Sequence, residues 1–238
     1  MISEIQGKIL ALISRSEGLR YSEAYPGEEI DDDLYNYHLQ ELVKKGLLSK
    51  VGGKYNLTDS GVKENLLFDS LGIKQDTFRL SVLPVVVRNN KSEILIHKRL
   101  RQPYLGELST ISGKVREGEK LADAAKRKLL EEAGLTADFE FWGNWRSIRK
   151  TTDGKIVEDT IYCVCVANEP IGILIEKNEF GENRWEKFEN IFEYLDKNVA
   201  TGEIEKQILK EIKDDKKQMR DFEEVIILGE NYKNQISL

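Results

Sequence analysis

Apolar positions recur with two different periods along the chain, and the change falls near residue 70. In "SEIQGKILALIS", Ile5, Ile9, Leu12 and Ile13 share one helical face, with Ser3 placed to cap the N-terminus. A short second helix is expected near Ser22, ending at Pro26-Gly27. A third begins at Asp31, Asp32 and Asp33, and Leu34, Tyr37, His38, Leu42 and Val43 follow at helical spacing until Gly46. "LLSKVGGKYNLT" then predicts two short strands around Gly52-Gly53. From about residue 78, "FRLSVLPVVVRNNKSEILIHKRLR" predicts two strands around Asn89-Asn90. "FEFWGNWRSIRKTTDGKIVEDTIYCVCVAN" predicts more strands, turning at Asp153-Gly154. A long helix lies between these blocks; "NRWEKFENIFEYLD" and "EIEKQILKEIKDDKKQMRD" read as later helices, and "VIIL" near the end as a strand or part of a loose tail.

The fold class expected is mixed α+β or α/β, with two domains. A helical domain with a hairpin covers 1–68, a linker 69–77, a mixed sheet with helices on both faces 78–220, and a C-terminal tail 221–238. Composition agrees with a globular chain: 238 residues, 40% hydrophobic and 33% charged. The net charge of −6 advertises neither nucleic acid nor an acidic membrane. There is no apolar run near 18 residues, so no membrane association is expected, and the amphipathic start lacks the pattern of a signal peptide. A cytoplasmic location is the expectation. Cys163 and Cys165, two apart in a strand, would point to one face and pair poorly, so they read as small core residues.

Chemistry concentrates in "GKVREGEKLADAAKRKLLEEAGL", residues 113–135. It has Gly113, five residues, Glu119, seven residues, then Arg127, Lys128, Leu129, Leu130, Glu131, Glu132, Ala133, Gly134 and Leu135. This resembles the Nudix family, whose box matches at eight of nine defining positions with unbroken spacing. The resemblance covers about residues 78–215 and implies an α/β/α sandwich that binds Mg²⁺ or Mn²⁺ and hydrolyses a nucleotide-type diphosphate. It implies Glu132 and Glu131 as metal ligands, Glu119 as a supporting acid, and Arg127 as the residue that positions the acid pair. Gly113 and Lys114 fall on the phosphate loop, and Arg99 and Arg101 before the box are ligand-binding candidates, with Lys98 and Tyr104 beside them. The family's general base often lies on a late loop, where Glu176, Glu179 and Glu182 are options. Trp142, Trp145 and Trp185 are candidates for stacking on a base or for the core.

One position departs from the pattern. Lys128 stands where the family carries a metal-binding glutamate. Its ammonium is expected to pair with Glu132 at i+4, to compete with Mg²⁺ for the same oxygens, and to bind phosphate directly as a point charge. Hydrolysis is therefore expected to be weak or lost, while a working hydrolase with a substitute ligand remains the alternative.

"LYNYHLQELVKKGLLSKVGGKYNLTDSGV" resembles the recognition helix and wing of winged helix-turn-helix regulators. That resemblance implies double-stranded DNA as a partner, with Tyr35, Asn36, Gln40 and Lys44 on the helix and Lys50 and Lys54 on the wing as contacts. Tyr37 and His38 are expected to pack inward. Charge points the other way: residues 1–68 hold eight Lys or Arg against eleven Asp or Glu, a net of −3. A protein-contact or dimerisation module is the competing reading. Together the halves resemble Nudix-related transcription regulators, although those carry the winged helix after the Nudix domain; a palindromic DNA site would imply a homodimer.

Overall fold

The computed structural model describes residues 2–27, 30–69, 71–74, 78–100, 104–198, 201–217 and 221–229. The chain divides into two compact units, Met1–Thr77 and Phe78–Leu238.

In the first unit, α1 (Glu4–Ile13) starts with a capping box in which Ser3 and Gln6 bond each other's backbone. α2 (Asp32–Lys44) is capped by Asp31, whose carboxylate accepts from the Leu34 amide at 2.8 Å. β1 (Leu48–Val51) and β2 (Lys54–Leu57) pair antiparallel. Gly52 and Gly53 between them have φ of 56° and 77°, the left-handed pair that a two-residue hairpin needs. α3 (Asp59–Asn65), capped by Thr58, follows the hairpin and was not foreseen.

Two expectations fail here. No helix forms near Ser22. Tyr21–Ala24 is only a turn, because Gly18 at φ 89° and Pro26 leave too few residues to pay for nucleation. Tyr21 and Tyr25 instead pack their rings on Tyr35, at 4.8 and 5.2 Å between centroids. This shifts the expected phase of α2, although Leu42 stays on the inward face. Tyr35, Leu39 and Leu42 form the inward stripe and are fully buried, whereas Leu34 and Tyr37 are exposed. Tyr35, expected as a DNA contact, is a core residue; His38 is half-buried as expected.

In the second unit, β3 (Arg79–Arg88) and β4 (Glu93–Arg99) form a hairpin whose turn residues Asn89, Asn90 and Lys91 all have φ between 53° and 60°. Short β5 (Leu108–Ser109) and β6 (Gly113–Lys114) lead into α4 (Leu121–Ala133), which Gly134 ends in the left-handed conformation. β7 (Leu135–Thr136), β8 (Glu140–Thr151), β9 (Ile156–Asn168), β10 (Ile171–Gly172) and β11 (Gly181–Lys187) follow. Then come α5 (Asn190–Lys197), α6 (Glu203–Lys213) and β12 (Asp221–Leu228).

The main sheet runs β11-β4-β3-β9-β8-β12, with β5 beside β4 and β6 beside β3. The pairs β3–β9 and β8–β12 are parallel and the rest antiparallel, so the sheet is mixed as expected. Its faces separate by the two-residue period of the strands. Leu83, Val85 and Val87 of β3 pack with Ile191 and Leu195 of α5 and Ile208 and Ile212 of α6. Val82 packs with Ala124 and Ala125, and Val86 with Leu129, all three on α4.

Asn183–Lys187, expected as the start of a helix, belongs to strand β11 because it pairs with β4. Residues 221–228, assigned to a tail with a strand as one option, form β12 along the outer edge of β8. Cys163 and Cys165 are free and buried under α4, and burial pushes the Cys165 thiol up to about 12. Among the described residues, no helix is long and apolar enough to cross a membrane.

Candidate functional site

The box wraps from β6 into α4. Gly113 is needed for close approach, since a Cβ there would collide with the side chain of Lys128. Arg127 is the hub of the loop. Its Nε and Nη2 donate to both oxygens of Glu119 at 2.6 and 2.7 Å, and Nη2 also donates to the Lys114 carbonyl at 3.0 Å. Nη1 reaches Glu131 at 3.3 Å. This two-pronged clamp holds the Glu119 carboxyl down to about 2. A folded-state value below the unfolded one stabilises above the ordinary carboxylate range and is lost as pH falls toward 2. The loop should therefore loosen on acidification below about pH 4.5, and Arg127→Met should abolish this pH dependence. Amide exchange of residues 114–119 measured across that range checks it, and identical profiles in the two proteins would refute it.

Lys128 lies beside the acid pair. Its side chain is nearly buried, and its ammonium is ion-paired with Glu132 and reaches Glu131 at 3.3 Å. It also lies 5.5 Å from the centre of the Phe180 ring. Glu131 further receives Arg116 at 3.3 Å. The expected i+4 pairing with Glu132 is present.

Glu132 is 2% exposed, and two asparagines hold its backbone carbonyl: Asn183 Nδ2 at 2.6 Å and Asn178 Nδ2 at 2.9 Å. Asn183 Nδ2 also donates to the Ile175 carbonyl at 2.8 Å, which turns its Oδ1 to His97 Nδ1 at 2.8 Å. His97 Nε2 is 3.8 Å from Glu132 Oε2. The sequence reading missed His97 and Asn183. They lie in strands 86 residues apart, and only the β4–β11 register makes them neighbours.

The site opens on a cavity of about 740 Å³. Gly113, Lys114, Arg116, Arg127, Lys128, Glu131 and Glu132 line one end. Glu119 is not among the lining residues and acts on them through Arg127. Arg99 and Tyr104 also line the cavity, while Arg101 lies outside the described residues. Lys98 pairs with Glu182 at 3.6 Å, and none of Glu176, Glu179 and Glu182 lines the cavity. Of the tryptophans, only Trp145 lines it, stacked on Tyr162 at 4.9 Å; Trp142 is core and Trp185 lies under Arg88 at 4.2 Å.

The cavity lining also holds an ionic network around the buried Glu158 and Arg149 that sequence did not reveal. Glu158 pairs with Arg149 at 3.2 Å and Arg79 at 2.8 Å, and accepts from Tyr104, Thr160 and Tyr162. Glu205, on α6, accepts from Ser109 at 2.8 Å, and burial pushes its carboxyl up.

Magnesium takes hard oxygen ligands, chiefly carboxylates supplemented by waters and phosphates. The side chains at the box do not fit such an ion as they stand. Lys128 brings a cation between the two acids, and Glu119 is committed to Arg127. Among the described residues, no group of three His, Cys, Asp or Glu converges as a metal site.

On the first unit, Asn36, Gln40 and Lys44 are exposed along α2, and Lys50 and Lys54 on the hairpin.

Comparison with known proteins places the second unit. The mouse oxidized purine nucleoside triphosphate hydrolase is 38% identical over 77 residues, 29% of this chain and 48% of the relative, so the chain spans about half of that relative's length. Among solved structures, the mutator protein MutT of Bacillus halodurans superposes with a TM-score of 0.51 at 20% identity, covering 65% of this chain and 93% of its own. The NUDIX domain of Shewanella oneidensis NrtR, solved with ADP ribose, superposes with a TM-score of 0.49 at 15% identity, covering 67% and 99%. The NUDIX domain profile matches residues 77–207, more than half of the sequence, and with the box geometry this establishes that the chain belongs to the Nudix family.

Proposed function

We propose that the Nudix domain binds a nucleotide-type diphosphate in its cavity and that the first unit is a winged-helix reader of DNA. The protein would then be a ligand-responsive transcription regulator with weak or lost hydrolysis. The observation that carries this reading is Lys128. The loop, the clamp and the acid pair of a hydrolytic box are assembled around a cavity, yet a cation is ion-paired where the reaction needs an anion. A pocket kept without its reacting centre is suited to sensing. Asn36, Gln40 and Lys44, exposed on one helix, and Lys50 and Lys54 on the adjoining hairpin have the chemistry for base and phosphate contact.

Two measurements test the parts. Purified protein is incubated with Mg²⁺ or Mn²⁺ and a panel of nucleoside diphosphate derivatives. Little or no turnover is expected; clear turnover abolished by Glu132→Gln would instead support an active diphosphohydrolase, the reading favoured by the intact Glu119–Arg127–Glu131 chain. A gel shift on the DNA upstream of its own reading frame tests the second part. Binding should weaken as salt rises, and the double variant Lys50→Ala/Lys54→Ala should reduce the salt slope by about 2. No shift at low salt, with or without nucleotide, would leave the first unit as a protein-contact module.

A further inference from the structure

We propose that Lys128 is a resident cation that takes the place of the divalent ion, so that this cavity binds its anionic ligand without metal. The inference rests on the reading of the cavity as a diphosphate site and states how that site is charged.

Three observations carry it. The first is charge balance. Arg116, Arg127 and Lys128 face Glu119, Glu131 and Glu132, three cations against three anions. With glutamate at 128 the same cluster would carry −2, the charge that one divalent ion cancels. A single substitution thus neutralises internally what a metal would otherwise neutralise.

The second is placement. The ammonium is not a solvated surface charge that could swing aside: the side chain is only 9% exposed and is ion-paired with both acids. Its stem fills the space that Gly113 leaves without a side chain, and Phe180 lies against its head. An incoming ion would have to drive a buried ammonium off Glu132, itself 2% exposed, and leave that ammonium without its counter-charge.

The third is the anion's side of the bargain. Lys114 and Arg116 line the same end of the cavity as Lys128. Lysine and arginine bind phosphate oxygens directly. A diphosphate entering here meets cationic side chains where it would meet a metal, so its binding needs no co-bound ion.

The test uses the full chain and separates this inference from the ligand reading. Free Mn²⁺ is followed by electron paramagnetic resonance during titration with protein. The wild type should leave the Mn²⁺ signal undiminished, whereas Lys128→Glu should bind about one Mn²⁺ per chain. Lys128→Gln, which removes the charge without adding a ligand, should show weaker but measurable binding, and far-UV circular dichroism checks that both variants are folded. Stoichiometric Mn²⁺ binding by the wild type that is lost in Glu132→Gln would overturn the inference. So would two folded variants that bind none, because Lys128 would then not be what excludes the ion. A calorimetric titration with ADP, once in EDTA and once in Mg²⁺, tests the ligand side. Equal affinity in the two buffers is expected. Binding seen only with Mg²⁺ refutes metal-free recognition. No binding in either buffer refutes the nucleotide reading, while the Mn²⁺ titration still judges Lys128.

Discussion

Glu158→Ala should destabilise the Nudix domain by about 3–5 kcal/mol, the loss expected when one partner of a buried ion pair is removed. Glu158 is 9% exposed and Arg149 5% exposed. The carboxylate is the counter-charge of Arg149 and of Arg79, and three hydroxyls complete its shell. Alanine would leave the Arg149 guanidinium buried without that anion, and the cost of burial would fall on it alone. Urea unfolding followed by tryptophan fluorescence reports on this unit, since Trp142, Trp145 and Trp185 all lie in it. The double variant Glu158→Leu/Arg149→Met should lose much less than the sum of the single losses, because it removes both charges. A loss below about 1 kcal/mol for Glu158→Ala would place the pair with ordinary surface ion pairs. The sign with pH also follows. Burial alone would raise the Glu158 carboxyl, but Arg149 and Arg79 more than offset it and hold it low. Its contribution is therefore present at neutral pH and fades as pH falls below the ordinary carboxylate range.

Tyr35→Ala should destabilise the first unit by about 3–5 kcal/mol, as for other buried aromatic truncations. The ring is fully buried between Tyr21 and Tyr25, and its hydroxyl donates to the Tyr21 carbonyl at 2.6 Å. Tyr35→Phe removes only that hydrogen bond and should cost about 1 kcal/mol. Because the unit has no tryptophan, protection of α2 amides against hydrogen exchange is the suitable readout. The comparison also separates packing from recognition. Tyr35→Phe should leave any DNA shift unchanged, whereas Asn36→Ala and Lys44→Ala should weaken it. A DNA defect in Tyr35→Phe with normal exchange protection would return Tyr35 to the binding surface.

Much of the fold was legible because local rules acted alone. The Ser3 and Asp31 caps and the Gly52-Gly53 and Asn89-Asn90 turns each follow from a few neighbouring residues. The box was legible for a related reason. Its spacing on one helix and the loop before it brings Arg127, Lys128, Glu131 and Glu132 together whatever the rest of the chain does. Elsewhere a long-range partner decided against the local preference. Asn183–Lys187 reads as helix but pairs with β4, and 221–228 gains its strand only from the edge of β8.

The sequence by itself determined that a Nudix-type box is present, that one of its acids is a lysine, and that this lysine is within reach of Glu132. Tertiary structure alone decided that the ammonium is buried, because burial depends on the close approach of Gly113 and on Phe180, distant in the chain. It decided that His97 and Asn183 brace Glu132, that Glu158 pairs with Arg149 in the cavity lining, and that Tyr35 faces inward while Tyr37 does not. Charge and spacing are properties of a segment, whereas desolvation is a property of everything packed around it, and the strength of each of these interactions depends on that packing.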